Sequence, residues 1–298
     1  MANRFKVIVA YDGSECADAA IDDLWNAGLP RDTQFKVLTV VEHWLPPPSG
    51  LEVLEHIDYG DEYTALVEKA VDRLRSMRSN WEVGAELCAG SPATAIIEKS
   101  DEWKPDLLIV GSHGRSALGR IFFGSVSHKL SHEAHCSVRV SRGRVKERGA
   151  PVRLIVGVDG SNGAELAVRS VLSREWPKGS EARVVNASWT VPSLSPPLAS
   201  SASGPILDWF VEENARVKKA VDDAVARLRK IGLKSEAIIE DGIPKDVLVN
   251  VADNWRADNI FLGARGRGRL ERFLIGSVSS AVVARAHCSV EVSREIHK

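Results

Sequence analysis

The sequence has few cysteines, no long apolar segment and almost no net charge, and each of these features excludes a class of protein. Its four cysteines lie far apart and form no Cys-x-x-Cys motif, which argues against a disulfide scaffold and fits a reducing cytoplasm. No apolar run approaches the roughly 18 residues of a membrane-spanning helix, and the first residues show no signal-peptide pattern. With 39 basic and 40 acidic side chains, no overall field favours nucleic acids or anionic membranes. We therefore expect a cytoplasmic protein with neither kind of partner.

The 298 residues do contain an internal repeat of domain length. Asp12-Gly13-Ser14 reappears as Asp159-Gly160-Ser161, and the motif that begins at His135 reappears at His287. The offset is 147 residues at the first motif and 152 at the last. A polar joint rich in Arg and Gly separates the two copies, as is typical of an exposed connector. The repeat predicts two tandem domains, residues 1–143 and 151–298.

Within each copy, strand-like apolar runs alternate with helical patterns. This alternation predicts an α/β fold, with two tandem doubly wound parallel-sheet domains. The predicted strands of the first copy are Phe5–Ala10, Lys36–Val41, Trp81–Cys88, Leu107–Val110 and Ser137–Ser141. Its predicted helices are Ala17–Ala27, Glu62–Met77, Ala93–Trp103 and Ser125–Ala134. The continuously apolar fourth strand should be buried on both faces, whereas alternation in the last strand predicts a half-exposed edge.

A glycine pattern follows the fourth strand of each copy. Gly111, Gly114, Gly124 and Ser125 form Gly-x2-Gly-x9-Gly-Ser in the first copy, and Gly263, Gly266, Gly276 and Ser277 repeat it in the second. Glycines let the backbone approach an anion closely, and the third glycine opens a helix whose free N–H groups attract phosphate. Neither the P-loop motif nor a Gly-x-Gly-x-x-Gly after the first strand occurs. Tight turns and helix packing remain the alternative role for these glycines.

An aspartate closes the first strand of each copy. In a sheet of order 3-2-1-4-5, Asp12 and Gly111 would end neighbouring strands at the switch point, where ligands bind. Asp12 and Asp159 could accept a hydrogen bond from an adenine amine or a ribose hydroxyl. A turn or N-cap aspartate is the alternative.

These residues resemble the universal stress protein family. The resemblance is carried by the Asp-Gly-Ser motif, by Gly111-Ser-His-Gly-Arg-Ser, by Phe123-Gly-Ser-Val-Ser and by the Gly-x-Pro before the third helix. The His-Cys-Ser-Val entry to the last strand completes it. It covers nearly the whole chain as two copies and implies an adenine nucleotide alpha-hydrolase-like fold. The loop motif looks like that of the ATP-binding branch, which implies ATP, with or without Mg²⁺.

The resemblance assigns roles residue by residue. Asp12 and the backbone of Val41 would contact adenine and ribose, and the glycine loop with Ser125 would hold ribose and phosphates. The corresponding residues of the second copy are Asp159, Ser188, Gly263, Gly266, Gly276 and Ser277. The second copy departs from the pattern, because Ser188 replaces Val41 and Ala264-Arg265 replaces Ser112-His113.

Three functions follow from these features. The first is a stress-response regulator that binds an adenine nucleotide and is not an enzyme. The second is a slow ATPase or phosphotransferase, although no dedicated set of metal ligands is evident. The third is a scaffold with empty sites. Arginines 265, 267, 269 and 272 suit a triphosphate or solvent better than RNA. Histidines 128, 132 and 135 are spaced along a predicted helix, but a metal site would need a further ligand and none is obvious.

The last strands also suggest how the copies assemble. Unpaired edges invite pairing, and members of the resembled family dimerise through this strand. We expect Ser137–Ser141 to pair antiparallel with Ser289–Ser293 within the chain, with a homodimer as the alternative. Arg139 and Glu291 hold equivalent positions with opposite charge, so they could face each other across the ladder.

Overall fold

The computed structural model describes residues 4–42, 60–113, 124–142, 146–188, 204–266 and 275–295. The chain forms two compact units, whose main division falls between Gly143 and Arg144. The short segment Leu24–Leu29 belongs to the second unit. Each unit contains one copy of the predicted strand–helix alternation.

The first unit has five described strands and four described α-helices. The strands are β1 (Phe5–Ala10), β2 (Thr33–Val41), β3 (Glu82–Ala89), β4 (Leu107–Gly111) and β5 (Ser137–Ser141). The helices are α1 (Glu15–Asp22), α2 (Gly60–Met77), α3 (Pro92–Trp103) and α4 (Ser125–Glu133). The predicted first helix, Ala17–Ala27, is shorter than expected, because the chain tightens into a 3-10 turn over Asp23–Asn26. All other predicted elements of this copy are present, with shifts of up to three residues at their ends.

The second unit repeats the plan. Its strands are β6 (Arg153–Gly157), β7 (Glu181–Ser188), β8 (Lys234–Asp241), β9 (Asn259–Gly263) and β10 (Ser289–Ser293). Its described helices are α5 (Asn162–Leu172), α6 (Gly204–Lys230), α7 (Pro244–Trp255) and α8 (Ser277–Arg285). Valines of β6 and β7 pack with α5 and α6 in a core that includes Val156, Val168, Val184 and Leu228, all at most 1% exposed.

The strand order of each sheet determines where the expected switch point lies. In the first unit β1 lies between β2 and β4, β3 pairs with β2, β5 pairs with β4, and every one of these pairs is parallel. The second unit has the equivalent order β8-β7-β6-β9-β10. The predicted doubly wound sheets of order 3-2-1-4-5 are therefore confirmed, with strand order reversing between β1 and β4 and between β6 and β9.

The last strands differ from expectation, because β5 and β10 are buried at all five positions and are not half-exposed. Their charged residues have buried partners. Arg139 donates to Asp23 Oδ2 from Nε at 3.0 Å and from Nη2 at 2.7 Å. Glu291 Oε1 accepts from Arg174 Nη2 and from Ser170 Oγ, each at 2.6 Å. The alternating polar residues wrongly predicted that these strands are half-exposed to solvent. Ion pairs within each unit allow the charges to be buried.

Candidate functional site

The Asp-Gly-Ser motif forms the same turn at the end of the first strand of each unit. Asp159 Oδ1 accepts from Ser161 N at 3.0 Å, and Ser161 Oγ caps α5 by accepting from Ala164 N at 3.1 Å. Gly160 supplies the left-handed backbone angle of this turn, with φ of 74°. Asp12 makes the same 3.0 Å contact in the first unit. One carboxylate oxygen of each aspartate thus holds the turn, and the helix cap is the serine.

The second oxygen of Asp159 points towards the glycine loop. A Cβ atom on Gly266 would lie only 2.6 Å from Asp159 Oδ2. The predicted aspartate and the predicted loop therefore meet at one place, beyond the carboxyl ends of β6 and β9. In the first unit, Gly114 corresponds to Gly266 and lies outside the described residues, as do arginines 267, 269 and 272 of the second loop.

The glycines that end β4 and β9 have a packing role. A Cβ on Gly111 would lie 2.8 Å from the carbonyl oxygen of Cys16 in α1. A Cβ on Gly263 would lie 2.2 Å from the backbone of Gly163 in α5, and one on Gly163 would lie 1.9 Å from the Arg265 carbonyl oxygen. Close approach of helix and strand end thus requires glycine here, whether or not a ligand binds.

The third glycine of each loop is the N-cap residue of a helix, but it has no side chain that could cap the helix. Gly124 and Gly276 are the N-cap residues of α4 and α8, and neither helix has a side-chain cap hydrogen bond. Gly276 N donates to the Ala264 carbonyl at 2.6 Å, and the hydroxyl of Ser279 donates to the Gly263 carbonyl at 2.7 Å. These bonds fix the start of α8, so that its first backbone N–H groups face the loop region. The side chain of Ser277 is exposed there.

A pocket of about 290 Å³ lies at this place in the second unit. Its size is close to the lower end of the range for small-molecule sites. The pocket brings together five of the predicted residues of the second copy, which are Asp159, Gly263, Gly266, Gly276 and Ser277. Ser188 ends β7 as predicted, but the pocket is lined by its neighbour Ala187 instead.

The pocket has two chemically different ends. One end contains Arg265, the loop glycines and the start of α8. The other is largely apolar and is formed by Val158, Val185 and Ala187 with Pro244 and Leu248 of α7. A flat apolar group with an attached anion would match this division, because each end offers the contacts that one part needs.

Those predicted residues of the first unit that the structure describes hold equivalent positions. Val41 ends β2 and is 2% exposed, and its carbonyl accepts from Gly90 N at 3.1 Å. Gly124 N donates to the Ser112 carbonyl at 3.0 Å, and Ser125 is exposed at the start of α4. The backbone of Val41 is thus engaged with β3 on one side at the predicted adenine end.

The loop residue that differs between the units is also electrostatically different. His113 Nδ1 lies 3.0 Å from Ser112 Oγ, and its Nε2 is buried without a hydrogen-bond partner among the described residues. Burial lowers the pKa of His113, and the nearby Arg142 guanidinium lowers that pKa further. The first loop therefore has a neutral imidazole near pH 7, where the second has the permanent charge of Arg265.

Sequence reasoning missed two polar residues on the strands beside the aspartates. Asn186 of β7 lines the pocket and donates from Nδ2 to the Val158 carbonyl at 2.7 Å. Thr39 of β2 holds the equivalent place and donates to the Tyr11 carbonyl at 2.8 Å. A polar residue within an otherwise apolar strand, at the same place in both copies, was the available signal.

Other sequence features form no further site in the described part of the chain. No group of three His, Cys, Asp or Glu residues there could hold a metal ion. The rings of His128 and His132 stack at 4.1 Å, while His135 Nδ1 lies 2.8 Å from Asp101 Oδ1. Cys136 and Cys288 are buried free thiols. None of the helices searched among the described residues is long and apolar enough to cross a membrane.

Comparison with known proteins identifies relatives of both units. The model of the universal stress protein family matches residues 3–142 and again 152–294. Universal stress protein Rv2005c of Mycobacterium tuberculosis is 29% identical over 300 residues, which cover 97% of each chain. Universal stress protein A homolog 2 of Coxiella burnetii is 30% identical over 146 residues, covering 48% of this chain and 97% of its own.

A solved structure supports the fold. The crystal structure of a universal stress protein from Archaeoglobus fulgidus aligns with a TM-score of 0.61 at 20% identity. The alignment covers 98% of this chain and 96% of that one. The resemblance thus extends over both units.

Proposed function

Because the chain belongs to the universal stress protein family, we propose that each of its two family domains binds an adenine nucleotide, ATP foremost, and that occupancy regulates a partner in a cytoplasmic stress response. The pocket of the second unit carries this proposal. It joins an apolar end, a carboxylate and an uncapped helix start within a single cavity. These are the contacts that a base, a ribose and a phosphate chain require.

Phosphates would occupy the end formed by the loop and α8. The first N–H groups of a helix have no intrahelical acceptor, and the helix dipole favours an anion at this terminus. Gly276 leaves that end uncapped, and Arg265 adds a positive charge on the pocket wall. Any Mg²⁺ would enter with the triphosphate.

The base and ribose would occupy the opposite end. Val158, Val185 and Leu248 supply apolar contacts for a purine ring. Asp159 Oδ1 is engaged by the turn, so Oδ2 is the carboxylate oxygen that faces the loop side of the site. An ionised carboxylate accepts hydrogen bonds well, which suits the hydroxyl groups of a ribose.

A regulator is favoured over a phosphotransferase. Phosphoryl transfer depends on positioned metal ions and a group that orients the nucleophile. The residues that line the pocket include one carboxylate, Asp159, which is partly engaged by its own turn. Single-turnover product analysis would identify hydrolysis, and equilibrium binding of labelled ATP would identify a scaffold with empty sites.

The test of this function is to block each site separately. Gly124→Glu and Gly276→Glu place an anion at the start of α4 or α8, where phosphate would bind. Both variants should fold, because a Cβ at either glycine comes no closer than 3.3 Å to a neighbouring atom. We expect each variant to lose one of two ATP equivalents in equilibrium dialysis.

Each variant is the control for the other. Mass spectrometry of the small molecule released from denatured protein should show an adenine nucleotide. Unchanged stoichiometry and affinity in both variants would disprove the phosphate-loop assignment.

We further propose that Ser137–Ser141 and Ser289–Ser293 pair within the chain, rather than between two chains. The burial of both strands at all five positions supports this proposal, because an open edge would be exposed to solvent. The measurement is molecular mass in solution by light scattering, combined with hydrogen exchange of these ten amides. Slow exchange in a monomer supports intramolecular pairing; slow exchange seen only in a dimer contradicts it.

A further inference from the structure

Asn186 places an amide at the apolar end of the second pocket. The residue is 6% exposed and lines the pocket between Val185 and Ala187, near the end of β7. Its neighbours in the pocket lining include the apolar side chains of Val158, Val185 and Leu248. A buried polar group in such surroundings should have its hydrogen bonds satisfied, since leaving one unmade is costly.

The two halves of this amide are used differently. Nδ2 donates to the Val158 carbonyl at 2.7 Å, which ties β7 to the residue that follows β6. Oδ1 accepts no hydrogen bond from the described residues, yet it is not enclosed by protein atoms. Because Asn186 lines the pocket, the accessible oxygen opens into it. The pocket wall thus offers a fixed acceptor whose orientation is set by the bond to Val158.

The equivalent residue of the first unit offers no such acceptor. Thr39 makes the same tie, because its hydroxyl donates to the Tyr11 carbonyl at 2.8 Å. Thr39 is only 1% exposed, so its oxygen is enclosed. Either residue can therefore make the hydrogen bond that ties the two strands together. Only asparagine leaves a second polar atom facing the ligand.

We propose that Oδ1 of Asn186 accepts a hydrogen bond from the 6-amino group of adenine in the second site. The inference rests on the proposed function. The base of an adenine nucleotide carries a single N–H group, its exocyclic amine, so an acceptor at the base end has one partner to meet. A 6-oxo purine would instead bring its own acceptor towards Oδ1. The second site should therefore select 6-amino purines more strictly than the first.

The experiment isolates the second site in the full chain with Gly124→Glu. Calorimetry compares ATP with purine riboside triphosphate, which lacks the 6-amino group, and with inosine triphosphate. We expect ATP to bind about tenfold more tightly than either, because the acceptor is left unmatched without the amine. Asn186→Thr installs the residue of the first unit and should reduce this preference to about twofold. It keeps a hydroxyl that can donate to Val158.

The reverse change is the matched control. Thr39→Asn, in a Gly276→Glu chain that binds only through the first site, should strengthen the preference for ATP over purine riboside triphosphate. A structural role alone would not move the ratio between two ligands that differ by one amine.

The outcomes distinguish a failure of the proposed function from a failure of the role of Asn186. If the second site binds none of the three triphosphates, the proposed function is wrong, and this inference falls with it. If ATP binds but the ratio to purine riboside triphosphate is near one, or is unchanged by Asn186→Thr, the role of Asn186 alone is overturned. Should Asn186→Thr fail to fold, the Thr39→Asn chain decides, because an unchanged ratio there would overturn the role of the asparagine oxygen.

Discussion

At the scale of single residues, a buried ion pair joins Arg139 to Asp23 in the first unit. The two side chains are 0% and 1% exposed, and Nη2 of the arginine lies 2.7 Å from the carboxylate. Asp23→Ala removes the carboxylate that accepts two hydrogen bonds from the buried Arg139 guanidinium. We expect Asp23→Ala to lower the free energy of unfolding by about 3–5 kcal/mol, measured by urea denaturation.

The control for this prediction replaces both charges. Asp23→Leu with Arg139→Met should cost less than Asp23→Ala alone, because an apolar pair leaves no unmatched charge. A double variant as unstable as the single one would mean that volume, and not charge, sets the cost.

The glycines of the first loop provide a second prediction, because two of them differ in the space around them. Gly111→Ala would put a Cβ 2.8 Å from the Cys16 carbonyl oxygen, whereas Gly124→Ala would keep its Cβ at 3.3 Å from its nearest neighbour. Overpacking against backbone should cost Gly111→Ala about 1–3 kcal/mol in urea unfolding, and Gly124→Ala less than about 1 kcal/mol. Equal losses would contradict the packing role of Gly111.

At the scale of elements, α5 and α6 are joined by a two-pronged ion pair. Arg227 of α6 donates to both oxygens of Glu165 in α5, at 2.8 and 3.0 Å. The Arg227 hydrogen bonds lower the pKa of Glu165 below its ordinary value of 4.5. Because the folded-state pKa is the depressed one, the stabilisation is present above about pH 4.5. It is lost as the pH falls through the lower, folded-state value.

Arg227→Gln should therefore matter at neutral pH and not in acid. We expect a loss of less than about 1 kcal/mol at pH 7, since both side chains are partly exposed. The difference from the unaltered protein should shrink towards pH 3 in parallel urea titrations. Lys218→Gln, which removes an exposed pair within α6, is the control. A difference that stays constant with pH would argue against the ion pair.

The elements themselves were largely predictable from sequence. Apolar periodicity and the repeat predicted β1 and β5 to the residue, and the strand order followed the motif resemblance. Burial of β5 was not predictable, because the partner of Arg139 lies 116 residues away in sequence. Trp103 and Trp255 are separated by the repeat offset of 152 residues, yet their contacts with Lys6 and Arg153 became evident only in the fold.

The motif residues of the candidate site were also predictable from sequence, but their contacts were not. Motif spacing identified the aspartate and the loop glycines, which the second pocket brings together. It could not show that Gly111 is required by the backbone of Cys16, since that contact joins separate elements. Asn186 was missed because one polar residue in a buried strand has no motif.

At the scale of the whole molecule, duplication gives one chain two sites that can diverge. A homodimer must have identical sites, whereas this chain has His113 in one loop and Arg265 at the equivalent place in the other. Arg265 lines the second pocket, and the lowered pKa of His113 keeps its imidazole neutral near pH 7. At this loop position the second unit therefore has a permanent positive charge, and the first unit has a neutral ring.

Salt should reveal this difference. In a Gly124→Glu chain only the second site binds, and in a Gly276→Glu chain only the first. ATP affinity should fall more steeply between 50 and 300 mM salt in the Gly124→Glu chain than in the Gly276→Glu chain. We expect roughly a threefold larger loss in calorimetry, because screening weakens each added charge–charge attraction. Arg265→His, which copies the first loop, should bring the two salt dependences together. Parallel slopes before that substitution would mean that Arg265 does not contact the phosphates, so the sites would differ at the base end alone.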